Sequence, residues 1–349
     1  METGVAKKIC SQALYWQRAG HRVALVAPAL SSRPIEAARN LEIIEFEHPL
    51  GSLKYLNRQG LGIREIRRYR PDIIYNRYFI LPPWHLALMS RFRLVFEINS
   101  EESEFALYHS RVKRLYHGLT RSWYLQGAAG AVFISHELSE KSAFSEIGRR
   151  VVIANGVLKP GRDEAEGFHR EPGPRRLFFV GNGCFPWHGI DKLMVIARHL
   201  PDVQVDVVGD PYLDDGPPNV RFHGPLPANE YLPMLRRADV AVGPLSLHTK
   251  SLAEASPLKV REYLANGIPS VIAYRDTDIA PGTELTLHIP NSPDNVPSSL
   301  DRIAAFIDAA AGRRVRWSAV RTIDAETKEE NRLAFFDQCR AGRSIAEAA

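Results

Sequence analysis

Two glutamates, separated by seven residues, flank a predicted helix start that carries positive charge. They are Glu254 and Glu262 in the segment EASPLKVREYLANGIPSVIA, and the cations between them are Lys259 and Arg261. Near the positive end of a helix dipole a carboxylate would be favoured by about 0.3–1 kcal/mol. Cations in that place therefore indicate an anionic partner from outside the helix.

The boundaries of this helix are well signalled. Ser256 suits the N-cap, Pro257 the first helical position and Gly267 a left-handed stop. The first peptide N–H groups, around Leu258 and Lys259, have no partner within the helix. Together with the Lys259 ammonium they would form a site for an anion such as a diphosphate.

The two glutamates could bind different parts of one elongated ligand. Glu254 precedes the helix and Glu262 lies more than a turn inside it, and hydroxyl groups are natural partners for both carboxylates. Phosphate, ribose and sugar would fit that spread. The alternative is a plain βαβ crossover, in which Lys259 extends to water and Glu262 pairs with a neighbour.

Length and composition limit the class of protein. A chain of 349 residues exceeds the length of about 250–300 at which single cores stop growing, so two domains are expected. The three cysteines have neither disulfide nor metal-ligand spacing, which favours a reducing cytosol and argues against a structural zinc. No stretch approaches the roughly 20 apolar residues that span a bilayer, and the N-terminus lacks the apolar core of a signal peptide. These features predict a cytoplasmic protein.

Positive charge is concentrated in the first half of the chain. The net charge is +5, but residues 1–155 contain 22 Lys and Arg against 14 Asp and Glu. The clusters REIRRYR, SRFR and RVKR suggest an anionic partner, although solvated helix faces would give the same composition. Nucleic acid is disfavoured because no recognised binding motif accompanies the charge.

Short β-branched runs alternate with amphipathic helical stretches along the chain. The runs lie at 22–27, 41–46, 72–76, 93–98, 130–135, 150–155, 177–181, 203–210, 219–224, 239–245, 269–274 and 285–290. This alternation predicts an α/β fold with two doubly wound domains and ligands at the carboxyl ends of the strands, near the crevice between them. A Pro/Gly-rich segment at 158–176 places the domains at 1–157 and 158–349.

The first domain lacks an expected element. The chain opens with a glycine turn that runs directly into a helix, with no strand ahead of it. The first strand of a doubly wound domain is central, so its loss would leave its neighbours without partners. We expect either that Met1 is not the natural start or that another segment fills the gap.

The spacing of Glu254 and Glu262, followed by YLANGIPSVIA, resembles the E-x7-E signature of the family 4 glycosyltransferases. Other segments are similar to that family in the same order: PDIIYNRYF, AAGAVFIS, VVIANGV, FVGNGCFPWHGIDKLM and NVRFHGPLPANEYLPMLRRADVAVGPLS. The resemblance implies the GT-B fold and a retaining, metal-independent enzyme without a cofactor. It also implies a nucleotide-sugar donor in the C-terminal domain, an acceptor mainly in the N-terminal one, and a last helix, at about 325–340, that crosses back to the first domain.

The resemblance assigns roles to individual donor-site residues. Glu262 would bind the ribose hydroxyls and Glu254 the hydroxyls of the donor sugar. The backbone of Ser256, Pro257, Leu258 and Lys259 would hold the diphosphate, whose developing negative charge the site would stabilise as the glycosidic bond breaks.

The turn GNGCFPWHG, residues 181–189, departs from the family pattern. The family usually has an arginine and a lysine for the diphosphate here, where this chain has Asn182 and His188, beginning at Gly181. We expect His188 to contact the diphosphate or the donor sugar, with Lys259 supplying the missing charge. The alternative is a histidine that simply stacks beside Trp187.

Candidates on the acceptor side are less specific. Where the family often has a histidine near the reacting centre, this chain has FEINSEESEF, so Glu97 is a candidate base and Asn99 could orient an acceptor hydroxyl. Gly4 matches a glycine turn that approaches the donor phosphates, and Arg77 could face the ligand from a strand end.

The prediction is a retaining glycosyltransferase that moves a sugar from a nucleotide diphosphate sugar to a glycan or lipid-linked acceptor, with peripheral contact to an anionic membrane at its inner face. Two alternatives remain open. FVGNGC begins like a dinucleotide fingerprint of an NAD(P)-dependent oxidoreductase, but Pro186 stands in place of the third glycine. A non-catalytic two-domain sugar-binding protein would share the crevice.

Overall fold

The computed structural model describes most of the chain, in two compact units. The described residues are 4–28, 40–46, 63–81, 85–101, 111–161, 163, 165, 168–210, 216–283 and 285–341. The N-terminal unit runs to Ile153 and takes up the chain again from Glu326, and the C-terminal unit spans Ala154–Ala325. The boundary expected after residue 157 lies close to the division after Ile153.

Helices and strands alternate through both units. The helices are α1 (Gly4–Arg18), α2 (His85–Met89), α3 (Arg111–Gln126), α4 (His136–Glu140), α5 (Ile190–His199), α6 (Ala228–Arg237), α7 (Leu258–Ala265), α8 (Leu300–Ala310) and α9 (Ala325–Ala341), and residues 63–69 are also helical. The strands are β1 (Ala24–Pro28), β2 (Glu42–Phe46), β3 (Ile73–Arg77), β4 (Arg93–Ile98), β5 (Gly130–Phe133), β6 (Arg150–Val152), β7 (Arg175–Val180), β8 (Val203–Val208), β9 (Val220–Phe222), β10 (Val240–Val242), β11 (Glu254–Ala255), β12 (Ser270–Ile272), β13 (Arg275–Asp276) and β14 (Thr286–His288).

In the N-terminal unit β3, β4, β5 and β6 form a parallel sheet in that order, and β1 and β2 form a separate parallel pair. Helix α1 packs on both: Cys10 and Ala13 contact Leu41, while the Trp16 ring lies 5.8 Å from that of Tyr75 in β3. Within the described ranges, β1 pairs only with β2 and β3 only with β4. The further strand expected from the sequence therefore stays a prediction.

The C-terminal unit contains a six-stranded parallel sheet in the order β14-β12-β10-β7-β8-β9. Its strands are apolar and buried on both faces, as parallel sheets require. In β7, for example, Leu177 and Phe179 are buried on one face and Phe178 on the other. The predicted α/β fold with parallel sheets is therefore confirmed. The sequence did not predict the two-residue parallel pair β11 and β13, because neither strand has a β-branched run.

Candidate functional site

The C-terminal sheet changes its direction of winding at β7. Strands β8 and β9 extend it on one side, and β10, β12 and β14 on the other. In open α/β sheets ligands bind outside the carboxyl ends of the strands at such a switch point. Here that position is the turn from Gly181, and the side chain of Lys259 in α7 reaches it.

Helix α7 begins differently from the expectation. Pro257 is the N-cap residue, with φ −68° and ψ 133°. The prediction of Ser256 as a side-chain cap is wrong, because its Oγ accepts hydrogen bonds from the Asn155 N–H and from Arg261, both at 2.8 Å. Gly267 does adopt the predicted left-handed conformation, with φ 77°. Leu258 is the first helical residue, so the earliest N–H groups of the helix still have no partner within it.

Lys259 is a buried cation to which the described part of the chain supplies no counter-charge. Its Nζ is inaccessible to solvent, although the residue as a whole is partly exposed, and no residue in the described ranges hydrogen-bonds to it. It lies 4.5 Å from the ring centroid of Phe179 and 5.9 Å from that of Trp187. Burial lowers the pKa of Lys259 to about 7. A ligand anion beside this ammonium would offset the cost of burying it.

Gly181 leaves room for the ammonium. A Cβ at this position would lie 2.6 Å from Lys259 Nζ and 2.9 Å from His188 Nδ1. Neither distance is compatible with a side chain, so any other residue would displace both groups. The absence of a side chain at residue 181 therefore shapes the site.

His188 closes the same turn from within. Its Nδ1 lies 3.1 Å from the Asn182 amide nitrogen and 2.7 Å from the Asn182 carbonyl oxygen, and its ring lies 4.1 Å from that of Trp187. Burial, and then the Lys259 ammonium, lowers the pKa of His188 to about 3. The imidazole is therefore neutral at physiological pH. The Asn182 Oδ1 accepts from the Cys184 N–H at 2.9 Å, so this side chain also shapes the turn.

Each glutamate of the E-x7-E pair has a partner that fixes it. Glu254 is 2% exposed and accepts a hydrogen bond at 3.1 Å from Arg275, its register partner in β13. The Tyr231 hydroxyl lies 3.0 and 2.9 Å from the two carboxylate oxygens of Glu262. The Tyr231 ring in turn stacks on Phe178. Both acids are therefore held in defined directions.

The two cations at the start of α7 have different environments. Arg261 is completely buried and pairs with Asp276 through two hydrogen bonds of 2.6 and 2.8 Å. Its charge is thus satisfied inside the protein, whereas Lys259 Nζ has no hydrogen-bond partner among the described residues. The sequence could not separate the two roles because Asp276 lies on another strand.

In the N-terminal unit, Glu97 belongs to a buried network. It accepts hydrogen bonds from Lys8 at 2.9 Å, Tyr75 at 2.7 Å and Asn99 at 2.7 Å. Burial raises the pKa of Glu97, but the charges of Lys8 and Arg332 and these bonds outweigh it and lower the pKa to about 2. A carboxylate held in this state is a poor proton acceptor, so the geometry argues against a base role.

The candidate residues of the N-terminal unit do not form one cluster with Gly4. A cavity of about 230 Å³ is lined by Arg77, Glu97 and Asn99, together with Tyr78, Phe79, Ile98 and Ser100. Gly4 is exposed and is the first residue of α1. The residues before it, which would complete the expected glycine turn, lie outside the described part of the chain. Of the sequence candidates in this unit, the cavity therefore brings together three.

Several residues of these sites gave no signal in the sequence. Lys8 lies 89 residues from Glu97, and Arg332, which donates to the Tyr75 hydroxyl at 3.1 Å, lies 257 residues from Tyr75. Such pairs are visible only after folding. An unusually polar position within an apolar helix face is the one sequence signal that could have marked them.

The described ranges contain no group of three or more His, Cys, Asp or Glu side chains arranged to hold a metal ion. No helix in them is both long enough and apolar enough to cross a membrane.

Two models of known protein families match the chain, one in its first half and one in its second. Residues 3–159 match the model of Glycosyltransferase Family 4, and residues 192–336 match the model described as Glycosyl transferase-like. No curated protein has a significantly similar sequence.

Solved structures resemble the chain over nearly its whole length. Sucrose-phosphate synthase from Thermosynechococcus elongatus has 16% identity and a TM-score of 0.71, over 96% of this chain and 93% of that one. WaaG, a glycosyltransferase involved in lipopolysaccharide biosynthesis, has 14% identity and a TM-score of 0.61, over 98% and 97%. Anabaena HepE, in complex with UDP and glucose, has 14% identity and a TM-score of 0.59, over 95% of each chain. At these identities the likeness shows a common fold.

Proposed function

Because the chain is a GT-B glycosyltransferase whose residues 3–159 match the model of Glycosyltransferase Family 4, we propose that it transfers a sugar from a nucleoside diphosphate sugar to an acceptor hydroxyl, with retention of anomeric configuration and without a metal ion. The observation that carries this proposal is the buried ammonium of Lys259 at the start of α7, to which no described residue supplies a hydrogen bond or a counter-charge. A diphosphate supplies the negative charge that this position lacks.

The proposed chemistry is stabilisation of a leaving group. As the bond between the anomeric carbon and the β-phosphate oxygen breaks, negative charge grows on the β-phosphate. Lys259 and the first N–H groups of α7 are fixed before the reaction begins, so they stabilise that charge without reorganising. The proposal of metal independence rests on this ammonium, which supplies the positive charge that the leaving group needs.

Two acids would orient the donor in this mechanism. Glu254, fixed by Arg275, would accept from hydroxyls of the donor sugar, and Glu262, fixed by Tyr231, from those of the ribose. His188, being neutral, would contribute a hydrogen bond and no charge. In a front-face reaction the acceptor hydroxyl attacks from the side of the departing phosphate, so retention needs no covalent nucleophile.

The acceptor would use the cavity at the ends of β3 and β4. Asn99 lines it and is held by Glu97, while Arg77 adds a positive charge at its exposed edge. Since Glu97 is committed to Lys8 and Tyr75, we assign it to positioning Asn99 and leave the acceptor proton to the departing phosphate.

The donor proposal can be tested by thermal shift with UDP-, GDP- and ADP-sugars, with NAD(P) as the oxidoreductase alternative. We expect at least one nucleotide sugar to raise the Tm of the wild type, and Lys259→Met to weaken its binding by about 30-fold or more. Lys7→Met, which changes a partly buried lysine of α1, should bind like the wild type. No shift with any nucleotide sugar, or a Lys259→Met variant that binds normally, would overturn the proposal.

An exposed apolar stripe on α3 suggests where a lipid surface would contact the protein. Leu115, Leu119 and Trp123 are 67%, 76% and 50% exposed, and their spacing of four places them on one face of the helix. A soluble surface rarely exposes such a row of large apolar side chains without a partner.

The charge of α3 favours an anionic membrane as that partner. Residues 111–126 contain no Asp or Glu, and Arg111 and Arg114 are exposed beside the stripe. Pairing with the same helix of a second copy would bring like charges together, whereas an amphipathic basic helix suits an anionic bilayer. We therefore propose a peripheral contact through α3, consistent with a lipid-linked acceptor.

Vesicle co-sedimentation tests the membrane contact. The wild type should bind vesicles that contain phosphatidylglycerol and not pure phosphatidylcholine, and Leu115→Ser/Leu119→Ser should lose at least about tenfold in affinity. Leu158→Ser removes a single exposed leucine of the C-terminal unit and should have no effect. Unchanged binding in the double variant, or a wild-type dimer that the double variant dissociates, would contradict the lipid assignment.

A further inference from the structure

Arg261 is a buried arginine whose guanidinium hydrogen-bonds to three segments of the C-terminal unit. It is 0% exposed, and its guanidinium donates to the Asn155 carbonyl at 3.0 Å, to Asp276 at 2.6 and 2.8 Å, to Asp278 at 3.0 Å and to Ser256 Oγ at 2.8 Å. All three guanidinium nitrogens therefore donate, and the two N–H groups of Nη2 are shared among Ser256, Asp276 and Asp278. No lysine could reproduce this arrangement, because an ammonium cannot donate in a planar fork.

The partners of Arg261 surround the segment Glu254–Pro257, which leads from β11 into α7. Ser256, in this segment, also accepts from the Asn155 N–H at 2.8 Å, and its own carbonyl accepts from the Asn155 side chain. Asp276 is fixed by the N–H groups of Asp278 and Ile279, at 3.0 and 3.2 Å. The guanidinium thus connects this segment to residue 155 and to residues 276–278.

The same connection reaches both proposed donor contacts. Glu254 lies two residues before Ser256 and pairs across β11 and β13 with Arg275, the neighbour of Asp276. Lys259 lies two residues before Arg261 in α7. A shift of this segment would therefore move the acid and the ammonium together.

We propose that Arg261 is a positioning residue of the donor site: it holds the Glu254–Pro257 segment in place and so sets donor affinity without touching the donor. This inference rests on the proposed function, since it assumes that the start of α7 binds the diphosphate. It goes beyond that function in assigning part of the affinity to an internal ion cluster.

Arg261→Lys tests the inference most directly, because it keeps the positive charge and removes the planar set of guanidinium N–H donors. The experiment measures binding of UDP, GDP and ADP by calorimetry, at a temperature at which circular dichroism shows the variant fully folded. We expect the affinity for the nucleotide that the wild type binds to fall by roughly 10–100-fold. In kinetic assays KM for the donor should rise while KM for the acceptor stays constant.

Arg170→Lys is the matched control. Arg170 also pairs with a buried carboxylate through two bonds, to Asp239 at 2.8 and 3.2 Å, but at the amino end of β10, away from the Glu254–Pro257 segment. This variant should lose stability yet retain nucleotide affinity within about twofold. Guanidinium ion, added to Arg261→Ala at a non-denaturing concentration, should restore part of the nucleotide affinity.

The outcomes separate this inference from the proposed function. If the wild type binds no nucleoside diphosphate, or if Lys259→Met binds normally, the proposed function fails. If Lys259→Met loses binding but a folded Arg261→Lys retains it, only the positioning role fails. Equal losses of affinity in Arg261→Lys and Arg170→Lys would also overturn it, since the effect would then be general destabilisation.

Discussion

Lys8 and Lys259 are both buried lysines close to a proposed ligand site, yet only one has an internal counter-charge. Lys8 bonds to Glu97 at 2.9 Å, whereas Lys259 Nζ faces aromatic rings and no carboxylate in the described ranges. Burial lowers the pKa of both. The difference teaches that a buried lysine with an internal partner can serve the scaffold of its unit, whereas one without such a partner is a candidate for the external anion that we propose.

The largest expected effect comes from breaking the paired lysine. Lys8→Met would leave Glu97 buried without its cation, and removing one partner of a buried ion pair typically costs about 3–5 kcal/mol. Denaturant unfolding should show this loss. The double variant Lys8→Met/Glu97→Gln should recover part of it, and a Lys8→Met protein as stable as the wild type would contradict the scaffold role.

Substitution of Lys259 should change the free energy of unfolding in the opposite direction. Lys259→Met removes an uncompensated buried charge, so the ligand-free protein should become more stable, by about 1–3 kcal/mol. Unfolding measurements on the two methionine variants, made side by side, test this contrast. A Lys259→Met variant destabilised as strongly as Lys8→Met would mean that the ammonium has an internal partner.

The stability difference between wild type and Lys259→Met should depend on pH. Below pH 7 the ammonium is charged in the folded and unfolded states, and its burial penalty is complete. As pH rises above 7 the folded protein releases this proton while the unfolded chain keeps it until near the ordinary lysine pKa. The wild type should therefore gain stability relative to the variant across that window, and a constant difference would argue against the lowered pKa.

A smaller effect is expected at His188. Removing the imidazole with His188→Ala would loosen the turn beside Lys259 and lower kcat/KM by about tenfold. The dependence of kcat/KM on pH between 5 and 8 should show no titration of His188, because the pKa of this residue is lowered to about 3. A change in kcat/KM of less than twofold would remove His188 from the donor site.

The smallest effect on stability is expected at Arg275. Its side chain is 62% exposed, so its pair with Glu254 should contribute less than about 1 kcal/mol. Arg275→Ala should therefore leave unfolding nearly unchanged while weakening donor affinity through a less fixed Glu254. Equal affinity in variant and wild type would show that Glu254 needs no such partner.

Local patterns in the sequence were sufficient for the α/β fold and for the helix that starts near residue 257. Apolar runs separated by amphipathic stretches predict the alternation of strands and helices, and Gly267 predicts the helix end. The prediction of the helix cap failed because groups distant in the sequence bind the capping residue: Ser256 Oγ accepts from Asn155 and Arg261 and does not cap α7. Local signals carry no information on such partners.

The site could be predicted only in part for the same reason. The positive charge at the start of α7 was visible, but not which cation would stay unpaired, because Asp276 reaches Arg261 from another strand. Glu97 has the residue type of a base, yet Lys8 and Tyr75, brought together by folding, determine its charge state. Residue type indicates possible chemistry, and the environment decides it.

The pKa of Lys259 is the most direct test of the central claim that this ammonium receives the donor diphosphate. NMR of protein with ¹³C-labelled lysine, with the Lys259 signal assigned from its loss in Lys259→Met, would follow the titration with and without a bound nucleoside diphosphate. The account predicts a midpoint near 7 in the free protein and a rise toward the ordinary lysine value on binding. A midpoint already at the ordinary value in the free protein, or one that the ligand does not move, would contradict it.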